Sequence, residues 1–162
     1  MPGENLTRLE ANVRAELLKV ESYEVSLDLT TSDKTFLSTT KVKFSANQVG
    51  TSTFIDAITA EVHAVTLNGE NLDVAQVADG RRIQLDNLAA ENELTVVADM
   101  FYMNTGEGLH RFVDPVDNEV YLYSQFEVPD SRRVFAVFEQ PSLKATFKFT
   151  VTAPEAWKVV SN

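Results

Sequence analysis

Through most of this chain, hydrophobic residues recur at every second position in short runs, and turn-forming residues separate the runs. Tyr23, Val25, Leu27 and Leu29 alternate with Glu24, Ser26 and Asp28, and Ala145, Phe147, Phe149 and Val151 alternate with Thr146, Lys148, Thr150 and Thr152. A β-strand sends successive side chains to opposite faces, so each run reads as a half-buried strand. Further runs lie at 35–45, 53–56, 62–67, 72–74, 76–77, 82–85, 93–102, 110–113 and 119–126, with a short last one at 157–160. Asn68-Gly69 and Asp79-Gly80 stand between runs, and their residue types tolerate the positive φ that tight hairpin turns require. This spacing is that of an antiparallel β-sandwich.

Two segments break the pattern. Leu6, Leu9, Val13, Leu17 and Val20 recur every three or four residues, which predicts an N-terminal helix with one apolar face. Thr7 and Glu10 have capping-box spacing, each able to satisfy an orphan amide of the first turn. A second, brief helical piece is predicted over 130–137, with Asp130 as its N-cap. The fold class is therefore all-β with a short N-terminal helix. With no linker, repeat or low-complexity tract, the 162 residues read as a single domain spanning 1–162. The last residues, Trp157 to Asn162, follow a strand without a polar tail, which is what a cut at a domain boundary would leave.

Composition removes several function classes. The 14 Lys and Arg against 24 Asp and Glu give a net charge of −10, which repels nucleic acid and the anionic face of a membrane. The absence of cysteine excludes disulfides, thiolate metal sites and cysteine nucleophiles. Only His63 and His110 are available, which nearly excludes a multi-histidine metal site. No apolar run reaches the ~18 residues of a membrane span, and the N-terminus has neither the basic nor the apolar region of a signal peptide, so a cytoplasmic protein is expected. The sequon Asn5-Leu6-Thr7 is incidental without such a signal.

No strong catalytic motif is present. His63 and His110 are followed by Ala64 and Arg111, so H-E-x-x-H is absent, as are G-x-S-x-G and the phosphate loop. Gly106-Glu107-Gly108 opens like a dinucleotide fingerprint, but Arg111 replaces the third glycine and no helical pattern follows. Asp114, Asp117 and Glu119 could converge on a hard cation, yet the glycine of a calcium loop is missing and a solvated turn is the better reading. The densest polar constellation is Tyr123-Ser124-Gln125-Phe126-Glu127, then Asp130-Ser131-Arg132-Arg133. In a strand Gln125 and Glu127 share one face, with Phe126 turned to the core. Spacing alone leaves two readings open: a site at a strand end, or Glu127 paired with Arg132 or Arg133 across a turn.

At this stretch the sequence resembles a known family. The segments Gly106-Glu107-Gly108-Leu109-His110-Arg111-Phe112-Val113-Asp114-Pro115, Tyr121-Leu122-Tyr123-Ser124-Gln125-Phe126-Glu127, Arg132-Arg133-Val134-Phe135 and Phe138-Glu139-Gln140-Pro141 are similar to the N-terminal domain of zinc metalloaminopeptidases of the aminopeptidase N family. Asn5-Leu6-Thr7-Arg8 through Ser22-Tyr23-Glu24-Val25 resembles the start of its bacterial members. Ala136-Val137 and Glu139-Gln140-Pro141 depart from the Pro-Cys and Asp-Glu-Pro common there, and Ser131 stands where Ala is frequent.

The resemblance implies a saddle-like β domain that packs on a catalytic domain of the same polypeptide. It implies zinc in the full-length enzyme and none in this chain, because the zinc motif and the G-x-M-E-N exopeptidase motif belong to a later segment. Met1, Met100 and Met103 precede Pro, Phe and Asn, never Glu-Asn. By motif, Gln125 matches the glutamine lining the pocket for the substrate's first side chain, and Glu127 matches the glutamate that binds the free α-ammonium of a peptide. No catalytic or metal-binding residue is implied here, and the piece alone is expected to be inactive; Arg132 and Arg133 are expected to be structural. The chemistry suits the task, since a fixed carboxylate selects a chain end that carries positive charge. At ~4 Å and an effective dielectric near 20 such a pair attracts by roughly 4 kcal/mol before desolvation. A charge-assisted hydrogen bond retains about 1.5–3 kcal/mol of that. The alternative is a stand-alone β-sandwich that binds a partner or scaffolds an assembly.

Overall fold

A computed structural model describes residues 5–161. Helix α1 spans Arg8–Leu17, and ten strands follow. They are β1 (Leu18–Asp28), β2 (Thr35–Ala46), β3 (Thr53–Asp56), β4 (Glu61–Leu67), β5 (Glu70–Asn71), β6 (Arg82–Leu85), β7 (Glu91–Phe101), β8 (Gly108–Val113), β9 (Val120–Gln125) and β10 (Thr146–Thr152). A one-turn helix α2 (Val74–Val77) lies between β5 and β6, and a 3-10 turn, Ser131–Arg133, lies between β9 and β10. The all-β reading holds. Six strands form the main sheet in the order β10-β1-β2-β7-β4-β5, while β3 pairs with β6 and β8 with β9 in two small ribbons.

The alternation seen in the sequence becomes one dry and one wet face. Val25, Phe36, Val42, Phe44, Leu94, Val96 and Met100 of the main sheet are buried, together with Ile55, Ile83 and Leu85 of the β3–β6 ribbon and the irregular segment Val134–Phe138. The opposite face carries charges in register: Glu93 lies beside Lys43 in the β2–β7 ladder and pairs with Lys41 at 2.9 Å. One face on the core and one in water is the arrangement that antiparallel sheets permit.

Four expectations need correction. The sandwich is not wholly antiparallel, because β10 runs parallel to β1, with Tyr23 opposite Phe147. Residues 72–74 and 76–77 are not strand: the Asp73 carboxylate accepts from the Ala75 amide and caps α2 instead. The helical piece over 130–137 shrinks to three residues, and the Asp130 side chain caps nothing, because it accepts from Arg133 Nε. Residues 157–160 form no strand.

The N-terminal helix forms where its cap predicts. Thr7 Oγ1 accepts from the Glu10 amide at 3.2 Å, and Glu10 Oε2 accepts from the Thr7 amide at 2.8 Å. Its end comes earlier than the apolar spacing suggests, since Val20 already belongs to β1. The face that docks is also different. Leu9 and Val13 are 74% and 56% exposed, and the buried residue is Arg14, at 2%. Arg14 Nη1 donates to Asp56 Oδ2 at 2.7 Å, Arg14 Nε donates to Gln140 Oε1 at 3.1 Å, and the guanidinium lies over the rings of Phe54 and Phe138. A charge so placed needs pairing, planar contacts and hydrogen bonds together.

Arg82 also lies over the Phe54 ring, 4.1 Å from its centre, and donates to Glu10 Oε1 at 2.6 Å. This hydrogen bond is the main reason the Glu10 carboxyl is held down at about 2, against an ordinary value of 4.5. Folding lowers this pKa, so the carboxylate form favours the native state; that contribution is complete above about pH 4.5 and disappears as the pH falls through about 2. Urea unfolding across this window is expected to show wild-type stability falling more steeply with acid than that of Glu10→Gln. Parallel curves would contradict the link.

Candidate functional site

The site residues lie at one end of the β8–β9 ribbon, Gln125 as the last residue of β9 and Glu127 in the turn just beyond it. The ribbon's register puts Gly108 opposite Gln125, His110 opposite Tyr123 and Phe112 opposite Tyr121. At the far end the chain reverses through residues 114–119, where the acidic cluster makes turns. The Asp114 carboxylate accepts from the Val116 amide, the Asp117 carboxylate accepts from the Glu119 amide and the Tyr121 hydroxyl, and Asn118 takes a φ of 60°. A left-handed Asn and side chains folded onto neighbouring amides are turn chemistry, as expected.

At the near end, β9 stops at Gln125. Phe126 turns inward, half-buried, and packs perpendicular to the Phe135 ring with ring centres 5.7 Å apart, which agrees with its expected inward direction. The chain then makes the tight turn Glu127–Asp130, closed by the Asp130 amide donating to the Glu127 carbonyl at 3.2 Å, with a cis peptide bond before Pro129. Proline has no amide hydrogen to offer a ladder, so the strand has no continuation here. Gln125 and Glu127 are thus not two residues of one strand. They are joined more directly, because Gln125 Oε1 accepts the Glu127 amide hydrogen. Both residues are exposed.

The two arginines are engaged elsewhere. Arg132 is buried; its amide donates to Glu139 Oε2 at 2.7 Å and its Nη2 to Asn5 Oδ1 at 2.8 Å. Arg133 pairs with Asp130 at 2.9 Å and faces Glu107 at 3.6 Å. Among the described residues, neither forms an ion pair with Glu127, so the carboxylate remains open to solvent and to a cation.

The histidines stand apart. His63 Nε2 lies 3.2 Å from Asp99 Oδ2 at the β4–β7 side of the main sheet. His110 stacks on Tyr123 with ring centres 4.7 Å apart, and its Nδ1 accepts from the Gly106 amide at 3.0 Å. Among the described residues no group of three or more His, Asp or Glu could hold a metal ion. These residues do not fit a metal centre.

A cavity of about 790 Å³ opens beside the ribbon, between β9 and β10. Leu122, Phe126, Phe135, Phe147, Phe149 and Trp157 line it, whereas Gln125 and Glu127 do not. Phe147 and Phe149 are 47% and 40% exposed, so these two members of the expected apolar stripe of β10, with Val151, border this opening rather than a closed core.

Residues 19–162 match the peptidase M1 N-terminal domain, and the chain belongs to that family. It is 60% identical to aminopeptidase N of Streptomyces lividans over all of its length, and spans 19% of that protein. It is also 23% identical to a leucyl aminopeptidase of Saccharolobus solfataricus over 90% of its length, spanning 18% of that protein. The fold is like that in a crystal structure of Legionella pneumophila aminopeptidase A, with a TM-score of 0.69 at 15% identity over 83% of this chain and 16% of that one. No helix among the described residues is long and apolar enough to cross a membrane.

Proposed function

We propose that residues 1–162 form one substrate-anchoring domain of a zinc-dependent aminopeptidase, in which Glu127 binds the free α-ammonium of a peptide and Gln125 lines the pocket for its first side chain. The observation that carries this reading is the exposed Glu127 carboxylate, tethered through its own amide to Gln125 while the nearby Arg133 is occupied by Asp130 and Glu107. A carboxylate on a short, hydrogen-bonded turn is held where it can measure one residue from a chain end, which a loosely held one could not do. Zinc is bound in this reading by the catalytic domain of the same polypeptide, outside the present sequence, and the working compartment is the cytoplasm. A net charge of −10 suits a cationic chain terminus and disfavours nucleic acid and anionic membrane as partners.

The test is made in the full-length enzyme. Glu127→Ala is expected to lower kcat/KM for an aminoacyl anilide by at least ~10-fold, the scale of one lost charged hydrogen bond. An unchanged value removes Glu127 from this role.

A further inference from the structure

Arg133 touches each of the three segments that frame Gln125 and Glu127. Its Nε donates to Asp130 Oδ1 at 2.9 Å, and Asp130 is the residue whose amide closes the turn begun by Glu127. Its Nη2 lies 3.6 Å from Glu107 Oε2, in the connection that enters β8, and Thr105 Oγ1 donates to the same oxygen at 3.1 Å. Its stem lies against Gly108, where a Cβ would stand 2.8 Å from Arg133 Cβ, and Gly108 is the partner of Gln125 in the ribbon. The side chain is mostly buried, with 19% exposed.

Three carboxylates belong to these segments, Glu107, Glu127 and Asp130, and one guanidinium is shared by two of them. We propose that Arg133 is the positioning residue of the ammonium site: it occupies Glu107 and Asp130 and fixes the Glu127–Asp130 turn to β8, so that Glu127 alone is left to meet the substrate cation. The proposal rests on the reading of Glu127 given above. Without the guanidinium, two further carboxylates would be released around the turn. They would repel one another, loosen the turn and offer the substrate ammonium the wrong partner. Lysine keeps the charge but has one compact head group, which cannot serve Asp130 and Glu107 with two separate nitrogens.

The experiment compares Arg133→Gln, Arg133→Lys, Glu127→Ala and the double variant Glu127→Ala/Arg133→Gln in the full-length enzyme, with an aminoacyl anilide as substrate and thermal unfolding followed alongside. Arg133→Gln is expected to raise KM about 5- to 10-fold with kcat held within about 2-fold, Arg133→Lys to recover part of the loss, and Arg133→Gln to add less than about 2-fold when Glu127 is already Ala. Non-additivity of this kind marks action through Glu127, which a purely structural role would not produce. If Arg133→Gln lowers activity by the same factor in both backgrounds, or leaves KM unchanged while Glu127→Ala lowers kcat/KM, the positioning role is overturned and the reading of Glu127 stands. If Glu127→Ala itself has no effect, that reading fails and this one with it. Should Arg133→Gln not fold, Asp130→Asn takes its place: it removes the charge of the turn-side contact and is expected to raise KM selectively, and an unaltered KM overturns the proposal.

Discussion

Asp56→Ala is expected to destabilise the chain by about 3–5 kcal/mol, the loss typical when one partner of a buried ion pair is removed and the other charge stays behind. Asp56 is 1% exposed and takes hydrogen bonds on Oδ2 from Arg14 Nη1 at 2.7 Å and from the Glu139 amide at 3.1 Å. Its backbone also exchanges two hydrogen bonds with Val137, at 2.9 and 3.0 Å. Removing the carboxylate leaves Arg14 buried among Phe54, Phe138 and Gln140, with stacking, the Gln140 amide oxygen and a long 3.5 Å hydrogen bond to the Phe54 carbonyl as its remaining support. Urea unfolding of the variant measures the loss directly, and a change under about 1 kcal/mol would mean that water reaches the guanidinium and that the pair contributes little. Replacing the pair together, Arg14→Met with Asp56→Leu, is expected to recover much of the loss, because the main cost lies in the stranded charge. The effect reaches the site through the chain itself. Ser131 and the Arg132 amide donate to Glu139 Oε2, so the segment held by Asp56 also holds the 3-10 turn that follows Glu127–Asp130.

What the sequence disclosed and what it hid follow one physical division. Local chemistry was legible: the Thr7–Glu10 box, the Asn68-Gly69 turn with φ of 52° and 85°, and strands such as Thr53–Asp56 and Arg82–Leu85 depend on neighbours a few residues away. Partnership at long range was not. The alternation at 145–152 announces a strand, but its parallel docking on β1 is decided by the connection and the core, and these leave no mark on the period. Apolar spacing likewise shows which face of α1 is apolar, not which face is covered. Arg14 is buried because Asp56 waits for it on β3, and nothing within the helix says so. At the site, reading Gln125 and Glu127 as one strand face extended a period of two past its true end. Pro129 was the available signal, since a proline and its neighbour mark a turn. The roles proposed for the two residues rest on family resemblance, because spacing leaves the pairing with Arg132 or Arg133 open. Arg133's link to Glu107 joins residues that meet only in three dimensions, and no pattern in the chain could have supplied it.

Gly108→Ala is expected to destabilise the fold by about 2–4 kcal/mol, from two contributions that act at one atom. Gly108 has a φ of +61°, where an L side chain crowds its own carbonyl at a cost of about 1–2 kcal/mol. The new Cβ would also stand 2.8 Å from Arg133 Cβ, a contact that must be relieved by moving backbone, because the β-carbon of Arg133 has no rotamer to escape into. Either β8 shifts away from the 3-10 turn or Arg133 is pushed off Asp130 and Glu107. In both cases the position opposite Gln125 changes, so the variant that still folds should show a KM defect like that of Arg133→Gln. The control separates strain from contact: Gly80→Ala has a similar φ of +82° but open space around the new Cβ, so it is expected to cost only the backbone part, about 1–2 kcal/mol. Equal losses for the two alanines would mean that the contact with Arg133 relaxes freely. A larger loss at Gly108, joined to a KM effect absent at Gly80, would identify the packing of Arg133 on Gly108 as the element that carries local stability into the geometry of the site.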